Sequence, residues 1–168
     1  MTPLKASPLT AATYAPYGDV ISARADIKPL LVNRGTAQKF NRLGKLENLR
    51  NEKAQANLSL FRCTPVKASP FQIKLLEHHR YSTQTFIPMI GSKRYLVVVC
   101  LGEQEPDLKS LRVFLASNAQ GITYHPGVWH HPLIALDEVT DFTCLVWEDG
   151  TPGDCTVKDL QETIWAEW

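Results

Sequence analysis

An all-β barrel or sandwich with a few short helices is the fold class this sequence predicts, on three observations. Its apolar runs are short, mostly four to seven residues, and rich in Val, Ile, Leu and Phe, a composition and length that favour strands. Eleven prolines and nine glycines are spread between those runs as breakers. Long amphipathic helices between the strands are missing, which argues against a doubly wound α/β fold.

Taken in order, the chain opens with a turn or two of helix. Thr10 caps it, Ala11, Ala12 and Tyr14 fill it, and Pro16 to Gly18 end it. Strands are expected at the apolar runs 30–32, 58–61, 73–76, 85–87, 95–101, 113–115 and 142–147. The run 95–101 is apolar without alternation, so it is placed as a central strand buried on both faces. After the last run, Glu148-Asp149-Gly150 supplies a turn. Residues 48–55 are polar and glycine-free and read as a mobile loop. Residues 106–111, with an acid after a proline, read as a short helix start, and 156–162 as another short helix.

The 168 residues suit a single domain, 1–168, with one sizeable core. Eighteen basic and seventeen acidic residues leave a net charge of +1, too little to recruit nucleic acid or an anionic membrane. The longest apolar run is too short to span a bilayer as a helix, and the N-terminus lacks the apolar core of a signal peptide. Cys63, Cys100, Cys144 and Cys155 form no CxxC pair, and the expectation is a reduced, cytoplasmic protein. Trp129, Trp147, Trp165 and Trp168 are read as packing residues in preference to a base-stacking surface. Neither a GxSxG elbow nor a phosphate-binding GxxxxGK[ST] run occurs.

All five histidines fall in two segments, LLEHHRYSTQTFIPM (75–89) and GITYHPGVWHHPL (121–133). Neighbours on a strand point to opposite faces, so only one of His78 and His79, and one of His130 and His131, can face a barrel interior. Glu77 and His79 share a face and make an acid/base or metal-binding pair. The plainer reading is that these histidines lie at the surface or satisfy backbone carbonyls. By the same parity Leu58, Leu60 and Arg62 share a face. If that face lines the barrel, Arg62 needs an anion, and a substrate carboxylate supplies one. The alternative is an intramolecular salt bridge at the barrel mouth.

These segments, with YAPYGDVI (14–21), LLVNRGTAQKF (30–40), NLSLFRCTP (57–65), RYLVVVCLGEQEPDL (94–108) and VTDF (139–142), resemble the ureidoglycolate lyase family over most of the chain. The resemblance implies a cupin-like β-barrel of the double-stranded antiparallel β-helix or jelly-roll type, a homodimer, and a role in allantoin breakdown. It implies the elimination of urea from (S)-ureidoglycolate to leave glyoxylate, with a divalent metal, nickel, accompanying activity and no nucleotide cofactor. Set on the cupin pattern, the first motif becomes Glu77-x-His79, Gln84 and Gly91, with Glu77 for one histidine and Gln84 for the usual glutamate. The second retains Gly127 and His130, while Ile134 replaces Asn. The metal set implied is Glu77, His79 and His130, and two histidines with a carboxylate hold a divalent ion with open positions.

Glu77, His79 and His130 are assigned the catalysis. Substrate contacts are assigned to Arg62, Gln84, Lys93 and His125, with Arg80 a further reserve cation. Two rivals stand beside the lyase: a non-catalytic cupin that binds a small 2-oxo or 2-hydroxy acid, and an amidohydrolase that releases ammonia from the same substrate.

Overall fold

Residues 2–50, 53–91 and 93–168 are described by the computed structural model. In chain order the strands are β1 (Leu4–Lys5), β2 (Ser7–Pro8), β3 (Val20–Ile21), β4 (Leu30–Val32), β5 (Ala37–Lys39), β6 (Gln55–Cys63), β7 (Phe71–His78) and β8 (Gln84–Ile90). Then come β9 (Arg94–Leu101), β10 (Asp107–Ser117), β11 (Gly121–Tyr124), β12 (Trp129–His130), β13 (Ile134–Ala135), β14 (Thr140–Glu148) and β15 (Thr156–Glu167). One helix, α1 (Ala11–Tyr14), lies between β2 and β3, and its N-terminal Thr10 side chain accepts the Thr13 amide at 3.2 Å, the expected cap.

Two sheets face each other and form a nearly closed, barrel-like β structure. One runs β1-β15-β7-β12-β9-β10-β2, with β13 also on β9, and the other runs β3-β11-β8-β14-β6. β9 is buried on both faces, as its unbroken apolar run predicts. Tyr95, Val97 and Val99 point into the barrel against Phe86, Phe114, Tyr124 and Phe142. Leu96, Val98 and Cys100 point the other way, into a second core with Ile73, Leu76, Trp129 and Ile164. Burying each such side chain contributes about 1.5–3 kcal/mol, so β9 anchors both layers.

Two expected helices are strands. At 106–111, Asp107 does not open a helix. Its carboxylate accepts the Lys109 amide at 3.2 Å and its carbonyl accepts the Ser110 hydroxyl at 2.6 Å, which builds a register shift at the head of β10. At 156–162, where a short helix is expected, β15 pairs with β7 along one edge and β1 along the other, and that pairing overrides local preference. The loop expected over 48–55 is anchored where it is described: Asn48 bridges to Ser82, the Leu49 amide donates to the Tyr81 carbonyl at 2.7 Å, and Gln55 already belongs to β6. Its residues 51 and 52 lie outside the described residues. All four cysteines are unpaired, and among the described residues no helix is long and apolar enough to cross a membrane.

Candidate active site

His130 reaches its place through a turn the sequence specifies. His125-Pro126-Gly127-Val128 puts Pro where φ is fixed and Gly where φ is +81°, and the Val128 amide donates to the His125 carbonyl at 3.1 Å. That is a type II turn, which needs a residue free to take positive φ at its third position. The turn feeds β12, where His130 sits directly across from Glu77 of β7. Side chains opposed in this way lie about 5 Å apart at Cβ. The Gly127 amide also donates to the His79 carbonyl at 2.9 Å, so one turn joins the two histidine segments.

Parity sorts the histidines as the sequence predicts. His78 turns away and stacks on Trp129, ring centroids 3.9 Å apart. His131 also leaves the interior and meets the edge of Phe71. Glu77, His79 and His130 converge, and one ligand atom from each lies within 4.8 Å of the others. His79 Nδ1 lies 2.8 Å from the Asp154 carbonyl, and His130 Nδ1 lies 3.0 Å from the Val128 carbonyl. A carbonyl only accepts, so each Nδ1 carries the proton and each Nε2 presents a lone pair.

His130 Nε2 is buried without a hydrogen-bond partner, and its 3.5 Å distance to Glu77 Oε1 is too long for a full hydrogen bond. An orphaned buried acceptor beside a second imidazole and a carboxylate is the arrangement a divalent cation satisfies, with the carbonyl-held Nδ1–H groups fixing the rings. The three residues therefore fit a metal and form a candidate triad for one.

The surroundings hold these rings firmly. Tyr124, fully buried, stacks on His130 at 3.9 Å and 7°. The turn Pro152–Asp154, whose last carbonyl orients His79, is held by the Asp154 carboxylate, which accepts the Asp149 and Gly150 amides at 3.0 and 2.7 Å and Arg50 Nη1 at 2.6 Å.

Electrostatics follow from burial. Desolvation, then the neighbouring His130, lowers the His79 pKa to about 4, so this imidazole is neutral at pH 7. Burial by itself raises the Glu77 carboxyl, but the polar contact with His130 and the adjacent imidazoles outweigh it and hold the pKa below the ordinary carboxylate value.

A cleft of about 460 Å³ opens over Glu77 and His79 between the two sheets, lined further by Asn57, Ser59, Gln84, Glu148 and Cys155. Gln84 is thus brought to the cluster, and its buried Oε1 has no partner. No Arg or Lys is among the described residues lining this cleft.

The other expected substrate contacts lie elsewhere. Arg62 is on the outer face of β6 with its side chain 70 % exposed, and it pairs through Nε with Asp141 Oδ1 at 2.8 Å, so the salt-bridge alternative is the one observed. Ser59, from the opposite parity, faces the cleft instead. Lys93 follows the far end of β8, about 20 Å along the strand from Gln84. His125 opens the type II turn, outside the cleft lining, and exposed Arg80 lies over Tyr81. Sequence reasoning missed Glu148, Asn57, Cys155 and Tyr124. Glu148 had a signal: it shares parity with Cys144 and Val146, both buried in the barrel, but was read as part of a turn.

Two facing, mainly antiparallel sheets with two imidazoles and a carboxylate converging at one mouth define a barrel-like all-β protein with a candidate metal centre. The chain belongs to the ureidoglycolate lyase family, whose model matches residues 1–167. It is 37% identical over 165 residues to a ureidoglycolate lyase of Burkholderia mallei (strain NCTC 10229), covering 98% of this chain and 94% of the relative. A ureidoglycolate lyase of Salmonella typhimurium (strain LT2) is 38% identical over 157 residues, covering 94% of each. Among solved structures, the dTDP-6-deoxy-D-glucose-3,5-epimerase RmlC of Legionella pneumophila is similar with a TM-score of 0.44 and 13% identity, over 83% of this chain and 76% of that one.

Proposed function

We propose that this protein is a ureidoglycolate lyase, a carbon–nitrogen lyase that splits (S)-ureidoglycolate into glyoxylate and urea during allantoin and purine breakdown. The observation that carries the reading is the convergence of Glu77, His79 and His130, the first two lining the cleft, two imidazoles and one carboxylate in a chain of this family.

The substrate is a carbinolamide bearing a carboxylate. Its cleavage needs a base for the hydroxyl proton, a proton for the departing urea nitrogen, and positive charge against the carboxylate. Glu77 is ionised at neutral pH and takes the hydroxyl proton as the carbon–oxygen double bond forms. The same carboxyl then delivers that proton to the nitrogen as the carbon–nitrogen bond breaks, so no redox step or nucleotide enters. No Arg or Lys is in the described cleft lining; Glu77, His79 and His130 would hold a divalent ion, nickel in this reading, which would supply positive charge against the substrate carboxylate. His79 and His130 hold their geometry through their carbonyl contacts, and Gln84 lines the same cleft.

The same reading takes residues 1–168 as one cytoplasmic domain acting as a homodimer. In support, β6 is an edge strand of nine residues with Leu58 and Leu60 exposed, and Ile87, Met89 and Ile90 are exposed on β8 of the same sheet, beyond β14, a surface suited to a second copy. Light scattering tests this, with a monomer at micromolar concentration counting against it.

The deciding assay is purified protein with ureidoglycolate, with urea, glyoxylate and ammonia quantified above spontaneous decay. Intact urea equal to glyoxylate is expected. Ammonia in place of urea would mark an amidohydrolase, and binding without turnover a non-catalytic cupin.

A further inference from the structure

Glu148 lines the same cleft as Glu77 and His79. It ends β14, where Cys144 and Val146 alternate with it onto the inner face, and it is half-buried at the mouth. Asn57 of β6, which faces Val146 in the register, donates its side-chain amide to Glu148 Oε2 at 2.7 Å. That bond holds the carboxylate in one orientation and leaves Oε1 for a ligand. The same cleft holds the buried, unpartnered Oε1 of Gln84, a second acceptor without a donor.

The cleft is therefore asymmetric. One pole offers lone pairs and a carboxylate suited to a cation. The rest of the lining carries two acceptors open to a donor, Glu148 Oε1 and Gln84 Oε1, beside the Ser59 hydroxyl and the Cys155 thiol, and no Arg or Lys among the described residues. Acceptors left without donors favour N–H or O–H groups, and the Glu148 carboxylate repels an anion.

We infer that Glu148, held by Asn57 and assisted by Gln84, is the subsite for the ureido group and sets which end of the substrate faces the triad. The inference rests on the reading of this cleft as a ureidoglycolate site. A ureido group presents parallel N–H donors, which a carboxylate accepts as a charge-assisted pair. The carboxylate of the substrate, repelled by Glu148, is turned toward the triad, and the carbon–nitrogen bond to be broken lies between the two poles. Glu148 is a specificity residue in this scheme and exchanges no proton.

Two probes separate the poles. N-carbamoylglycine carries the ureido group and carboxylate but no hydroxyl, whereas glycolate carries the hydroxyl and carboxylate but no ureido group. Their dissociation constants are measured on the metal-loaded protein and on Glu148→Gln. The substitution should weaken N-carbamoylglycine about tenfold, the loss of a charge-assisted contact, and leave glycolate within about twofold. If Glu148→Gln does not fold, Glu148→Asp, which keeps the charge on a shorter arm, should show the same selective loss at about threefold. Equal weakening of both probes, no weakening of either, or a wild type that binds glycolate but not N-carbamoylglycine overturns the assignment. A wild type that binds neither probe and releases no urea from ureidoglycolate overturns the lyase reading, and the subsite falls with it.

Discussion

At one mouth of the barrel Arg62 lies 2.8 Å from Asp141 and Arg94 lies 2.7 Å from Asp137, each cation matched to a carboxylate from a neighbouring strand or loop. At the other mouth, Gln84 Oε1, Tyr124 OH and His130 Nε2 are buried with no partner, and Glu77 and Glu148 face a cleft whose described lining holds no Arg or Lys. The same strands run to both ends. β6 carries Asn57 at one and Arg62 at the other, and β14 carries Glu148 and Asp141. The end with its charges satisfied is structure, and surface pairs of this kind contribute little. The end with unmet acceptors is where a ligand lowers the free energy most, because each orphaned group regains its missing partner.

The largest effect that contrast predicts is at His130. His130→Ala should cut urea release by more than about a thousandfold while the circular dichroism spectrum stays native. Near-normal turnover would dissolve the difference between the two ends. Next comes the ion: chelation should abolish activity and nickel should restore it, and turnover unchanged through both steps would remove the metal from the scheme. One step out from the ligands, Asp154→Ala frees the turn whose carbonyl orients His79, and should weaken metal affinity by about ten- to a hundredfold in a competition titration.

A smaller effect is written in the pH dependence of stability. The His79 pKa falls from 6.5 in the unfolded chain to about 4 in the folded one. Between those values the unfolded state holds the extra proton, so stability rises with pH across that window and is lost as pH falls from 6.5 toward 4. The metal-free protein should show a melting temperature that drops over this range, with a shallower slope in His79→Asn. The smallest effect belongs to the satisfied end. Arg62→Ala should leave kcat/KM within about twofold, and a large loss there would restore Arg62 as a carboxylate clamp.

Much of this was legible in the residues because period and parity are local properties. The unbroken run of β9 announced burial on both faces, and the spacing of Glu77 and His79 announced a shared face. Parity also separated His78 from His79. What parity cannot tell is which end of a barrel a residue occupies, since that depends on pairings between distant strands. Arg62 and Lys93 were credited to the site for that reason, although both sit at the far mouth. The strands at 107–117 and 156–167 were misread for a related reason. Their polar heads resemble helix starts, and only the edges of β9 and β7 make them extended. Glu148 was hidden by a boundary: one residue more of β14 turns a loop acid into an inward-facing one.

The bend at His125-Pro126-Gly127-Val128 aims His130 and at the same time grips the peptide behind His79. Two donors drawn from remote parts of the chain are therefore governed by a single hinge of four residues. A change at Gly127 would disturb both together, so the pair can drift or be retuned only as a unit. Evolution or design that seeks a different ion in this barrel has to begin at that corner, well before it touches a ligand.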